Sequence, residues 1–215
     1  MKIALINESS QASKNDLLYS ILCDALNPLG HQVFNYGMYS FENAHAISYV
    51  NVGLLAATLL NSKAADFVIT GCGTGQGILI SCNSYPGVQC GFIADPVDAH
   101  LFSQINNGNA VSLAFAKGFG WASELNLKNT IVSLFSNTPG QGYPPEQKQV
   151  QQYYKSLLDT TKTVTHASFE DILKNLDHEL LKTTFQLEHF EELFFANAKD
   201  PKISEAIREI IKDSK

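Results

Sequence analysis

The stretch Thr70-Gly71-Cys72-Gly73-Thr74-Gly75-Gln76-Gly77 concentrates the reactive chemistry of this 215-residue chain. Four glycines alternate around one cysteine, after an apolar run (Asp66–Thr70) that reads as a strand and before a helix start. Such a loop exposes successive backbone N–H groups, which together form an anion site. A dinucleotide fingerprint would read Gly-x-Gly-x-x-Gly after the first strand, and a phosphate-binding loop of the Walker type would need Gly-Lys-Ser/Thr. Neither pattern is present. A phosphatase loop would place arginine after five intervening residues from Cys72, where this chain has Ile78. What remains is a thiol inside a nest of amide donors. Positive local potential favours a thiolate, which could act as nucleophile or as proton-abstracting base beside an oxyanion site. A glycine-rich turn around a merely buried cysteine is the simpler reading of the same residues.

The elements that must position this loop follow an alternating pattern. Ile3–Asn7, Gln32–Tyr36, Asp66–Thr70, Val88–Ile93 and Ala110–Phe115 read as strands. Helical patterns lie between and after them at Ser13–Asn27, His45–Leu60, Pro96–Asn106 and Trp121–Phe135. Strands separated by helices predict an α/β fold: a doubly wound, five-stranded parallel sheet, Rossmann-like and three-layered. Ligands of such folds sit at the C-terminal strand ends, near the switch in strand order. Ser136–Glu146 is a turn-rich loop, and from Ser168 the chain reads as helices with charged faces. Ser168 is the expected N-cap of the first of these helices, and Pro201 opens the last. The expected organisation is an α/β unit over residues 1–160 and a C-terminal helical extension over 161–215.

Composition narrows the partners. Residues 1–160 carry 7 basic and 10 acidic side chains, and residues 161–215 carry 8 and 11. Arg208 is the single arginine, and the net charge is −6. Nucleic-acid binding needs clustered Lys and Arg and is not expected. The first apolar run, Ile3–Ile6, falls short of a signal-peptide core of roughly 7–15 residues or a membrane span of about 20. A soluble, cytoplasmic protein without a membrane partner is the expectation. Cys23, Cys72, Cys82 and Cys90 fit no zinc spacing, so no metal is expected, and the cysteines read as free thiols.

Several motifs together resemble the ribose-5-phosphate isomerase B family, which includes the galactose-6-phosphate isomerase subunits. They are Gly71-Cys72-Gly73-Thr74-Gly75-Gln76-Gly77, Ser81-Cys82-Asn83-Ser84-Tyr85-Pro86-Gly87-Val88, Ala94-Asp95-Pro96 and Asn106-Asn107-Gly108-Asn109-Ala110-Val111. The resemblance covers about residues 1–155, and the helical tail is similar to one on a longer branch of that family. It implies aldose–ketose isomerisation through a cis-enediolate without metal or cofactor. In that scheme Cys72 is the base, the Gly73, Thr74, Gly75 and Gly77 amides stabilise the oxyanion, and the Thr74 hydroxyl is a candidate proton relay. It also implies a site built at a subunit interface, hence a homodimer or tetramer.

The departures from that family are informative. Glu8 and Ser9 occupy the places of its Asp-His pair after strand one, and Ile105 the place of its ring-opening histidine. Of its Tyr-Pro step only Tyr49 is kept, followed by Val50. Tyr143, Pro144, Pro145 and Lys148 stand where its phosphate-binding arginines are expected. The substrate reading is therefore a sugar phosphate or, favoured by the missing arginines, an unphosphorylated keto-uronate such as 4-deoxy-5-keto uronate. A carboxylate carries one charge where a phosphate carries about two. The competing reading is a non-catalytic sugar- or anion-binding member. Glu8, Ser9, Tyr49, Asp95 and Asn106 complete the candidate substrate-binding set. For Asp95 the alternatives are capping the following helix and touching substrate. His100 is a weak substitute for the missing histidine. His31 and His45 read as surface or helix-end residues, and Tyr153-Tyr154 as packing in the core or in a subunit contact.

Overall fold

Ile3, Ala4, Leu5 and Ile6 are apolar at every position, the pattern of a strand buried on both faces. In the computed structural model, which describes residues 1–40 and 46–214, they lie in β1 (Lys2–Asn7) inside a five-stranded sheet. The other strands are β2 (Gln32–Asn35), β3 (Phe67–Cys72), β4 (Cys90–Ile93) and β5 (Ala110–Ala114). Their spatial order is β2-β1-β3-β5-β4, with every pair parallel. The chain leaves β1 toward β2 on one side and returns to β3 on the other, so the switch in strand order falls between β1 and β3.

Helices cover both faces. On one, α1 (Asn15–Leu26), α4 (Pro96–Leu101) and α5 (Ser123–Phe135) bury Leu18, Leu22, Ala99 and Ile131 against Ile3, Leu5, Ile69 and Val111. On the other, α2 (Tyr49–Asn61) and α3 (Gln76–Asn83) pack against Ala4, Ile6 and Val68. The helix expected from His45 begins at Tyr49, because Ser48 caps it in a reciprocal box with Asn51; His45 itself lies outside the described residues. Strand three runs two residues past the expected Thr70, and strand four starts two residues after the expected Val88. Both shifts follow pairing with β5 and not apolarity.

Beyond α5 the chain forms α6 (Lys148–Thr165), which crosses residue 160 without a break, then α7 (Phe169–Asn175), α8 (His178–Phe185), α9 (Phe190–Asn197) and α10 (Pro201–Asp213). Ser168 and Asp200 cap α7 and α10, and Pro201 opens α10. Phe185, Phe190 and Phe194 stack at 5.1–5.2 Å and join the apolar cluster that contains α2. Asn51 of α2 donates to the hydroxyls of Thr183 and Thr184 at 2.9 and 3.0 Å, so the tail is fastened to α2. None of the residues of α6 is buried, and Tyr153 and Tyr154 are 60% and 61% exposed, which removes the core option for that pair. Among the described residues no helix is long and apolar enough to cross a membrane.

Candidate active site

β3 carries Cys72 to the C-terminal edge of the sheet, where Gly71 pairs with Asn7 and Leu113 and Cys72 with Ala114. A Cβ on Gly71 would lie 2.4 Å from the Phe115 ring and 2.5 Å from the Leu113 carbonyl, so only glycine lets β3 continue between its neighbours. Gly75 then turns the chain at φ +76°, in the left-handed region that glycine adopts at no steric cost. The turn aims the Gly75 N–H at Cys72 Sγ, 3.2 Å away. Ser112 Oγ donates to the Gly75 carbonyl at 2.6 Å and fixes the loop from β5. The amide expected to bind an oxyanion is thus directed at the sulfur instead.

α3 starts immediately after this turn, and first-turn amides of a helix have no intrahelical acceptor. The Thr74 hydroxyl accepts from Gln76 N–H at 3.3 Å and remains at the surface. Gly77 faces the Tyr49 ring, whose Cγ is 3.1 Å from the place of a Cβ. Tyr49 is half-exposed at the first turn of α2 and roofs the α3 N-terminus. Thr74 and Tyr49 are thus exposed and Gly73 and Gly77 half-buried, with Cys72 and Gly75 buried beneath them.

Across the switch point, Glu8 N–H donates to the Gly71 carbonyl at 3.2 Å. The hydroxyls of Ser9 and Ser10 donate to the two Glu8 carboxylate oxygens, at 3.1 and 2.5 Å. Gln11 Nε2 continues the chain to Ser10 Oγ at 3.1 Å and lies 3.8 Å from the place of a Gly73 Cβ. Beneath, three asparagines hold the ends of β1 and β2. Buried Asn7 donates to the Gln11 and Met38 carbonyls, and Asn15 and Asn35 exchange side-chain hydrogen bonds at 2.6 and 3.1 Å. Sequence reasoning missed Ser10, Gln11 and the asparagines. Isolated polar residues in a loop carry no pattern; a run of Ser and Gln directly after a strand at the switch point was the available signal.

Two candidates are not gathered here. Asp95 follows edge strand β4 and accepts from Val97 and Asp98 N–H at 2.8 and 2.9 Å, which is the capping alternative. Asn106 ends the π turn Phe102–Asn106 before β5, at the opposite end of the parallel sheet from Cys72. The length of β5 alone separates them by about 13 Å. His100 meets the Tyr143 ring edge-on at 5.8 Å on the α4 side, and Lys148 donates to Gln141 Oε1 at 2.6 Å. The other thiols are free: Cys23, and the buried Cys82 and Cys90. A hydrogen bond to Cys82, together with burial, pushes the Cys90 thiol well above its ordinary value, as suits a core position. Among the described residues no group of three or more His, Cys, Asp or Glu is placed to hold a metal ion.

A family model described as Ribose/Galactose Isomerase matches residues 3–153, and one described as Ribose-5-phosphate isomerase matches residues 164–210. The chain is 51% identical to a solved 4-deoxy-L-threo-5-hexosulose-uronate ketol-isomerase complexed with a tartrate, with a TM-score of 0.97 over 99% of this chain and 100% of that one. It is 48% identical to a ribose-5-phosphate isomerase structure from Vibrio parahaemolyticus, with a TM-score of 0.95 over 98% and 99% of the two chains. The galactose-6-phosphate isomerase subunit LacB of Clostridium acetobutylicum is 28% identical over 143 residues, covering 66% of this chain and 76% of that protein.

The close approach at Gly71 has a measurable consequence. Gly71→Ala is expected to lower stability to urea by about 1–3 kcal/mol through overpacking. Gly120→Ala, at a position with nothing within 4 Å of a Cβ, should change it by no more than about 0.5 kcal/mol.

Proposed function

The chain belongs to the ribose/galactose isomerase family and is an aldose–ketose sugar isomerase, and from that premise we propose that its substrate is an unphosphorylated keto-uronate, isomerised with Cys72 as the base. The observation that carries the mechanism is the placement of Cys72 Sγ at the C-terminal end of β3 with the Gly75 amide directed at it. The thiolate takes the proton from C2 of the open-chain aldose, leaving a cis-enediolate. The same proton, or one from solvent, is returned to C1, while the proton on the C2 hydroxyl passes to O1. The Gly73, Thr74 and Gly77 amides stabilise the enediolate oxygens as charge develops, and the hydroxyl of Thr74, an exposed residue, relays the O2–O1 proton.

Two facts support the uronate over a sugar phosphate. The 51% identical relative of almost equal length is a uronate ketol-isomerase. Arg208 lies in the tail, 3.4 Å from Glu205, so no guanidinium serves the site of this chain. A 5-keto acid can be processed as an open chain, which leaves no role for the ring-opening histidine replaced by Ile105. The catalytic residues all lie within residues 1–160. The 161–215 extension acts from behind, bracing α2 and with it Tyr49.

Self-association belongs to the same proposal. Val150, Tyr153, Tyr154, Leu157 and Leu158 recur at helical spacing on α6 and are all 46–61% exposed. A second copy of the chain covers this stripe in a homodimer. Leu157→Glu is expected to convert the dimer to monomer in sedimentation experiments; an unchanged mass would contradict the placement of the interface.

Substrate choice is tested by comparing turnover of 4-deoxy-5-keto uronate, ribose 5-phosphate and galactose 6-phosphate. The uronate should exceed both phosphates in kcat/KM by about a hundredfold or more, the scale of one well-discriminated charged group. Preference for a sugar phosphate would contradict the reading.

A further inference from the structure

An acidic substrate needs a positive partner, and the single arginine is occupied elsewhere, beside Glu205 and 4.8 Å over the Phe195 ring. Lysine is therefore the side chain to look for. Lys14 ends the 3-10 turn Ser9–Lys14 that follows β1, at the Cys72 end of the sheet, and is half-buried. Its Nζ donates to Gln11 Oε1 at 2.6 Å and lies 5.2 Å from the centre of the Phe119 ring. Gln11 is buried and faces Gly73. Phe119 belongs to the loop after β5, whose Ala116 and Lys117 amides donate to the Gly73 carbonyl at 3.1 and 2.9 Å. The loops after β1, β3 and β5 thus close on one point, and a lysine ammonium is held there.

That ammonium makes no salt bridge among the described residues. Glu8, the carboxylate on the same hydrogen-bonded chain, is separated from it by Gln11 and Ser10 and is already bound by two hydroxyls. An ammonium carries three donors, and one is used by Gln11. The amide and the aromatic face orient the group without neutralising it, leaving two donors and one charge for a ligand.

We propose that Lys14 binds the substrate carboxylate and so selects a singly charged acid. The assignment deepens the uronate reading and rests on it. One ammonium matches the charge of a carboxylate and leaves a phosphate dianion half-compensated. Gln11 is a positioning residue in this arrangement, and Cys72 and the amide loop act at the opposite end of the substrate, on C1 and C2.

The test is steady-state kinetics with 4-deoxy-5-keto uronate on the full-length wild type, Lys14→Met and Lys14→Arg. Met keeps an unbranched apolar stem and removes the charge, and thermal unfolding of each variant reports its fold. Lys14→Met should raise KM by about tenfold or more while kcat falls by less than about threefold, and Lys14→Arg should recover most of the loss. An unchanged KM in Lys14→Met, with the wild type turning over the uronate, overturns the Lys14 assignment and leaves the substrate reading standing. A KM rise that Lys14→Arg does not recover assigns the effect to packing and also overturns it. A wild type inert toward the uronate overturns the substrate reading and this assignment together.

Discussion

The site depends on one close approach, the passage of Gly71 between Asn7 of β1 and Leu113 of β5 under the Phe115 ring. A side chain there would push β3 out of register just before Cys72. With glycine, β3 keeps its pairing to the last residue and delivers the sulfur at the switch between β1 and β3. The left-handed turn at Gly75 then folds an amide back onto that sulfur, and Ser112 locks the turn from the neighbouring strand. Rigid strands thus position a thiol and its donors with little left to loop motion, the arrangement that preorganised catalysis requires.

Around that fixed point the chain spends very little charge. The rim is built of hydroxyls and amides, Ser9, Ser10, Gln11 and Thr74, with Glu8 already satisfied by two serines. Such a rim suits a polyhydroxylated ligand. The buried Asn7–Asn15–Asn35 group beneath it settles the backbone ends of β1 and β2, since unpaired polar groups at that depth would be costly. The tail contributes from the far side. Its stacked phenylalanines and the Asn51 bonds hold α2, whose first residue roofs the amide loop.

Much of this was legible in the residues. Continuous apolar runs in Ile3–Ile6 and Val68–Ile69 predict buried parallel strands, and the alternating glycines predict the amide loop. The exact end of β3 was not legible, because glycine and cysteine there are held by pairing with β5 and not by their own strand preference. The eighteen-residue α6 went unrecognised as a helix, although Val150, Tyr153, Tyr154, Leu157 and Leu158 have helical spacing. Asn106 was grouped with Cys72 by motif, whereas the parallel topology sends the start of β5 to the opposite edge. Lys14 has no motif at all; only the meeting of three loops gives it a role.

The central claim is that Cys72 moves the proton. Incubation of the wild type with 4-deoxy-5-keto uronate in deuterium oxide should place label on C1 of the product, and Cys72→Ala should abolish that label while leaving the fold intact by thermal unfolding. Undiminished label in a folded Cys72→Ala variant would contradict the account.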